Sequence, residues 1–276
     1  MSTKEIVIPK KIKRWNRHQR YQHLLLALSV IMLVITGFPI KYGSWGWSQV
    51  VVDLFGSFHN MFMTHLTFGV IMLISGVYHL IWMVGYFARK GPSWAMVPTF
   101  KDVKDAVHHA KFLLGITKEP PRYDRYTYLE KFEYLAVFWG IIVMGGSGLI
   151  LWFPGMFGWL TTTGLHITRI AHTNEAFVAM LAVVLGHFFS VHFNPHVFPS
   201  SKVWINGSIS REHMEEEHLL EYEKLLEQYR KDGVPVVKHE HHSRFAKSRK
   251  LIIFELVVYV TVVILLMVTF IPLLFV

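Results

Sequence analysis

Apolar residues fall in five blocks, each long enough to cross a hydrocarbon core as a helix, which takes about 20 residues. They run from Tyr21 to Ile40, His59 to Phe87, Leu129 to Phe153, His166 to Phe193 and Leu251 to Phe275. The first block is too long for a signal-peptide core and no small-residue cleavage site follows it, so it is expected to stay in the mature chain. The pattern predicts an all-α integral membrane helix bundle, in which the first four helices form a core and the fifth is appended at the C-terminus. No internal repeat or low-complexity segment is apparent.

The segments between the blocks are polar, and two of them carry helical periodicity. Val103, Val107, Ala110 and Leu114 recur at three-to-four spacing, which predicts an amphipathic helix over 100–115 with Gly115 as its cap. The stretch SREHMEEEHLLEYEKLLEQYRKDG predicts a second helix, with Ser210 as N-cap, acids in its first turn, Arg230 and Lys231 in its last and Gly233 at its stop. Its stripe of Met214, Leu219, Tyr222, Leu226 and Tyr229 suits a surface helix, or one lying on lipid headgroups or a partner. The domain layout that follows is a basic tail over 1–20, a four-helix bundle over 21–193 with a loop at 88–128, a charged segment over 194–250, and a fifth span over 251–276.

Charge orients this layout. Of the 28 Lys and Arg residues, 26 lie in the N-terminal tail, between Arg89 and Lys131, or between Lys202 and Lys250, and the other two are Lys41 and Arg169. Five crossings put the 26 on one side, as the positive-inside rule requires. The N-terminus and both long loops are thus expected in the cytoplasm and the C-terminus on the outer side of the membrane. A balance of +9 spread this regularly does not suggest nucleic acid. With 52% hydrophobic and 17% charged residues, the chain is more apolar than ordinary soluble domains. It has no cysteine, so it cannot hold an iron-sulfur cluster, a covalently attached haem or a disulfide.

The candidate chemistry lies in histidines inside the apolar blocks, since intramembrane ionisable residues are costly and usually functional. Of 17 histidines, five stand out: His23 at the start of the first block, His65 and His79 in the second, His172 and His187 in the fourth. On an ideal helix 14 residues return to within about 40° of the starting face and rise about 21 Å, and 15 residues overshoot by about 60° and rise about 22 Å. His65 comes level with His172 near the outer face and His79 with His187 near the inner one. Paired imidazoles of this kind suit haem b, held on both sides inside a helix bundle with no position left for substrate. Structural zinc needs four ligands per site, and the spans offer few acids beyond Glu133, Glu175 and Glu255. Gly37, Gly69, Gly76 and the run MGGSG at 144–148 give room for a macrocycle, or simply for close helix packing. HEHH at 239–242 reads as a solvated run or, less readily, a metal site.

The first block, RYQHLLLALSVIMLVITGFP, resembles the opening of the cytochrome b subunits of bacterial formate dehydrogenase and nickel-iron hydrogenase, with Leu24 where the family has Trp. That resemblance implies two haems b on His23, His65, His172 and His187. EPPRYDRYTYLEKFEYLAVFWGIIVMGGSGLILWFP and RIAHTNEAFVAMLAVVLGHFFSVHFNPHVFP are similar to cytochrome b proteins that accompany multihaem c-type cytochromes in anaerobic bacteria. Together the likenesses cover about residues 14–235. The spacings of 14 and 15 are instead similar to cytochrome b of bc complexes, which implies His79 rather than His23 as the inner ligand. His65 with His172 is the outer pair in both readings, and His187 pairs with His79 or His23. A third haem would need His192, which lies about 200° from His172 on an ideal helix.

The function expected is that of a haem b electron-transfer subunit in a quinone-linked respiratory oxidoreductase, with quinone as the substrate of the complex. Electrons would pass between a quinone, expected to be menaquinone, and partner redox subunits such as a multihaem cytochrome c or an iron-sulfur or molybdenum protein. Glu175, three residues beyond His172, is the candidate relay for a quinol proton, or an acid that orients that histidine. Arg169 and Lys41 on the outer side, and Arg14, Arg17, Arg20, Arg122 and Arg125 on the inner, are candidate propionate partners. The alternative reading is a proton or metal transporter that uses the histidines without haem.

Overall fold

The computed structural model describes residues 9–193, 197 and 200–231. The fifth apolar block, Gly233 and HEHH at 239–242 lie outside them. In chain order the described elements are β1 (Lys11–Lys13), α1 (Arg17–Lys41), α2 (Gly46–Leu54), α3 (Phe58–Lys90), α4 (Phe100–Leu113), α5 (Tyr128–Trp152), a 3-10 turn (Pro154–Phe157), α6 (Thr162–Leu181), π-helical turns (Ala182–His187 and Phe189–Phe193), α7 (Val203–Asn206), β2 (Ser208–Ser210), α8 (Arg211–Glu217) and α9 (Leu219–Lys231). Four helical stretches, Arg17–Lys41, Phe58–Lys90, Tyr128–Trp152 and Thr162–His192, are long and apolar enough to cross a membrane. They correspond to the first four apolar blocks, in a chain that is overwhelmingly helical.

Local chemistry sets where these helices begin. Asn16 and Gln19 form a reciprocal capping box at the start of α1, the Asn16 side chain accepting from Gln19 N and the Gln19 side chain accepting from Asn16 N. Thr127 and Glu130 do the same for α5. Ser57 and Thr161 cap α3 and α6 by accepting from Asn60 N and Gly164 N. α3 stops at Gly91, whose φ of +80° is open to glycine and unfavourable for a β-branched residue.

The chain divides into two compact units. One comprises residues 16–93 and 135–183 and is the helical unit. The other, the polar unit, holds residues 9–15, 94–134 and 184–231 of the described chain.

In the helical unit the usual distribution of polarity is reversed. Ser29, Thr36, Ser75 and Ser147 are buried, whereas Leu24, Leu28, Ile31 and Ile35 on α1 and Val70, Ile74, Val77 and Ile81 on α3 face outward. That is the arrangement of helices solvated by lipid, where small and hydroxyl residues line the helix contacts. α1 packs along α3, and α3 approaches α5 closely. A Cβ on Gly76 would stand 3.2 Å from Ile141, and one on Gly145 would collide with Leu73.

The polar unit differs from the sequence-based expectation in three ways. First, the basic tail does not stay separate: β1 pairs antiparallel with β2, Lys11 opposite Ser210 and Lys13 opposite Ser208. Second, the helix expected after Ser210 is two helices. Ser210 does cap α8, but the chain breaks at His218, whose Nδ1 bonds the Asp124 carbonyl at 2.9 Å while Leu220 N donates to the Tyr123 carbonyl. Leu220 N is thereby diverted from the Glu216 carbonyl that a continuous helix would have offered it. Third, the apolar stripe is not left for lipid or a partner. Met214 and Tyr222 bury with Ile209, flanked by Ile12, Val203, Leu226 and Tyr229. The amphipathic helix over Phe100–Leu113 forms as the periodicity predicts, opened by Thr99 and Asp102 and closed by Gly115 at φ +73°.

Candidate functional site

Each of the four helices α1, α3, α5 and α6 contributes to one locus in the helical unit. His65 on α3 has its Nδ1 at 2.9 Å from Oγ1 of Thr36 on α1. His172 on α6 has its Nδ1 at 2.8 Å from Oγ of Ser147 on α5. Both hydroxyls already donate their single proton backward along their own helices, Thr36 to Met32 O at 2.7 Å and Ser147 to Val143 O at 2.5 Å. The hydroxyl oxygens therefore accept, and each imidazole donates from Nδ1. With Nδ1 protonated, Nε2 is the lone-pair nitrogen on both rings, the tautomer an axial metal ligand needs.

The residue after each hydroxyl is glycine, and that glycine faces the same histidine. A Cβ on Gly37 would sit 3.0 Å from Cε1 of His65, and one on Gly148 would sit 3.4 Å from Cε1 of His172. Thr36-Gly37 and Ser147-Gly148 thus act alike: one residue fixes the ring's tautomer and the next leaves room for its edge. The two imidazoles are near enough to interact electrostatically. A pair of half-buried rings with Nε2 lone pairs and glycine-lined edges fits a planar macrocycle held by two axial nitrogens.

Two further intramembrane histidines follow the same rule. His79 on α3 has Nδ1 at 3.1 Å from Oε1 of Gln22 on α1, within the helical unit. In the polar unit, His187 has Nδ1 at 2.9 Å from Oε2 of Glu133 on α5. The other Glu133 oxygen lies over Gly186, 3.8 Å from where a Cβ would stand. So four of the five intramembrane histidines expected from the sequence have Nδ1 engaged by a residue of the preceding span. His23 lies half-buried on α1.

These acceptors were missed by sequence reasoning, and a signal for them exists. Gln22 and Thr36 are 14 residues apart on α1, and Glu133 and Ser147 are 14 apart on α5, matching the 14 between His65 and His79. The chain therefore carries a repeat of function, acceptor helix followed by histidine helix, twice over. It escapes notice in the sequence because the acceptors are Gln, Thr, Glu and Ser, four different residue types.

The spacing of His172 and His187 rests on different winding from the ideal. α-Helical geometry ends at Leu181, and Ala182–His187 winds as a π-helix. Its i→i+5 bonds give a wider turn that rotates the chain less per residue, which works against the overshoot expected for 15 residues. Of the other expected site residues, Glu175 is half-buried with Oε1 4.0 Å from the position of a Cβ on Gly140. His192 packs against Phe188 with ring centroids 4.4 Å apart and the planes tilted by 36°. Arg169 is exposed, and Lys41 lies over the Tyr42 ring. Arg14, Arg122 and Arg125 pair with acids of α9, Arg14 and Arg125 with Glu221 and Arg122 with Glu223.

A search of curated proteins found no match. The family model of prokaryotic cytochrome b561 matches residues 14–203, which span α1, α3, α5, α6 and every histidine–acceptor pair described above. The chain belongs to the prokaryotic cytochrome b561 family and is a bacterial membrane cytochrome that carries electrons on haem b.

Proposed function

We propose that the chain is the haem b subunit of a quinone-linked respiratory oxidoreductase, passing electrons between the menaquinone pool and partner redox subunits. The observation that carries this reading is the common state of His65, His79, His172 and His187, each with Nδ1 held by an acceptor. A histidine used for proton transport needs to change protonation and partners, whereas an axial ligand needs one fixed tautomer. Fixed tautomers at four positions favour ligation.

In this reading His65 and His172 hold one haem. His187 holds the second with His79 or His23, and the 14-residue spacing that puts His79 on the face of His65 favours His79. Haem b, when bound, supplies one-electron redox chemistry. The protein's part is to set ring orientation through Thr36, Ser147, Gln22 and Glu133, and to exclude water with the apolar outer faces of the spans. Glu175, one helical turn beyond His172, is the proposed relay for a quinol proton. Having no cysteine, the chain depends on partners, multihaem cytochromes c or iron-sulfur or molybdenum proteins, to carry electrons onward. The positive-inside distribution supports a cytoplasmic N-terminus.

The test is haem per chain in the purified protein and in His65→Ala, His79→Ala, His187→Ala and His23→Ala variants, read from reduced-minus-oxidised spectra. Two haems in the parent are expected, with one lost in His65→Ala and one in His187→Ala. Whichever of His79→Ala and His23→Ala loses a haem names the second ligand. A folded parent without haem b bands would leave the transporter reading in its place.

A further inference from the structure

We propose that His213, Glu217 and His218 form a site for one divalent metal ion of the zinc type, separate from the haem ligands. The three residues offer ligand atoms that all lie within 4.8 Å of one another. His213 and Glu217 are one helical turn apart on α8, with Nε2 of His213 2.7 Å from a Glu217 oxygen. His218 follows at the break between α8 and α9, where its backbone takes φ −119° and ψ 49° and leaves the helix.

Three observations distinguish this cluster from an ordinary surface ion pair. His218 is 2% exposed, and its Nδ1 is committed to the Asp124 carbonyl at 2.9 Å, which leaves Nε2 as its lone-pair nitrogen. A backbone carbonyl on one imidazole nitrogen is the usual support for a metal on the other. His213 has no such outside commitment: its Nδ1 is buried with no hydrogen-bond partner among the described residues, and its Nε2 faces Glu217. The helix break itself is the third, because it turns an imidazole back toward the two residues that precede it.

The donor set specifies the class of ion. Two imidazoles and one carboxylate suit zinc or a neighbouring first-row metal, whereas calcium and magnesium take oxygen ligands. Tetrahedral zinc with bonds of about 2.0–2.2 Å holds its ligand atoms about 3.3 Å apart. The His213–Glu217 pair would open slightly as the ion replaces the shared proton. Three protein ligands leave a fourth position, for water or another ligand. The nearby Arg14 does not oppose a cation strongly, since Glu221 and Glu130 neutralise it. An ion here would tie α8 to the 120s segment through His218 and Asp124, stabilising the fold of the polar unit.

The experiment uses the full-length haem-loaded protein without a polyhistidine tag, in a background where His239, His241 and His242 are replaced by Ala so that they cannot contribute. The protein is dialysed against chelator, titrated with zinc alone at about micromolar free concentration, and zinc per chain is measured by atomic emission. One zinc per chain is expected, with affinity falling 10- to 100-fold in His213→Ala and in Glu217→Gln, while the haem bands keep their parental intensity and show that both variants fold. Absence of bound zinc in the background protein overturns the proposal. So does zinc that binds equally well in both variants.

Discussion

Oε2 of Glu133 lies 2.9 Å from Nδ1 of His187, and among the four histidine–acceptor pairs this is the one whose acceptor is a carboxylate. A carboxylate draws the Nδ1 proton toward itself more strongly than an amide or hydroxyl, and makes the imidazole a stronger donor at Nε2. A stronger donor stabilises ferric over ferrous iron. Glu133→Gln keeps an acceptor in place but removes the charge, so the potential of the haem proposed for His187 should rise by about 60 mV, a tenfold change in a one-electron equilibrium. Redox titration of the haem b bands checks this: with the two haems proposed, one midpoint moves and the other stays. Unchanged midpoints with two haems retained would mean that the carboxylate does not act through an iron ligand.

The hydroxyl pair at His65 and His172 gives a second outcome. Thr36→Val and Ser147→Ala each leave an imidazole N–H without its hydroxyl acceptor inside an apolar unit, at a cost of about 1–3 kcal/mol. Each should weaken retention of the haem proposed for His65 and His172 by 10- to 100-fold, measured as haem loss on incubation with an apo-haemoprotein acceptor.

Glycine geometry orders a third pair of variants. An added Cβ at position 37 meets the His65 ring at 3.0 Å, so Gly37→Ala must push the ring away from Thr36, and overpacking of this kind costs about 1–3 kcal/mol. At position 148 the distance to His172 is 3.4 Å, near ordinary contact. Gly37→Ala should lower haem occupancy and broaden the haem b bands, and Gly148→Ala should do so much less. Equal behaviour of the two would remove the close-approach argument.

The first four spans and the histidines within them were legible in the sequence because both depend on patterns longer than one residue, runs of about 20 apolar positions and spacings of 14 and 15. The residues that hold the histidines were not, since Thr36 and Ser147 look like ordinary small residues of helix contacts and Gln22 and Glu133 like polar residues near span ends. Their roles appear only when neighbouring helices are placed side by side. The break at His218 was hidden for the opposite reason. Local propensity there favours one continuous helix, and it is overridden by bonds to Tyr123 and Asp124 about a hundred residues away in sequence. The pairing of β1 with β2 is likewise a long-range choice that three residues of extended chain do not announce.

Asp102 offers a pH-dependent outcome in the polar unit. Burial pushes its carboxyl upward, but the Lys131 ammonium and the Thr99 N–H and hydroxyl outweigh that and hold it below the usual carboxylate range. A group whose folded value is depressed contributes stability above its unfolded value near 4 and loses it as pH falls through the folded one. The ends of α4 and α5 that Asp102 and Lys131 join should therefore be protected at neutral pH and loosen only in acid below about pH 4. Hydrogen exchange of α4 at pH 6 and at pH 3 checks it. Asp102→Asn should abolish the difference between the two.

Arg14 supplies the last outcome, because its guanidinium is the buried end of the N-terminal strand. Its side chain is 4% exposed and bonds Glu221 at 2.9 Å and the Arg125 carbonyl, with Glu130 at 3.7 Å. Removing one partner of a buried pair costs about 3–5 kcal/mol, since the charge left behind stays buried without compensation. Here Arg125 also reaches Glu221, at 2.6 Å, so the loss in Arg14→Met should fall below that range. It should still free β1 from β2, and limited proteolysis should then cut near Lys11 and Lys13, which the parent protects through strand pairing. Haem content should stay at the parental level, because no histidine–acceptor pair includes Arg14. An uncut N-terminus in Arg14→Met would show that the strand is held by its backbone ladder and by Ile12 in the core, with the ion pair adding little.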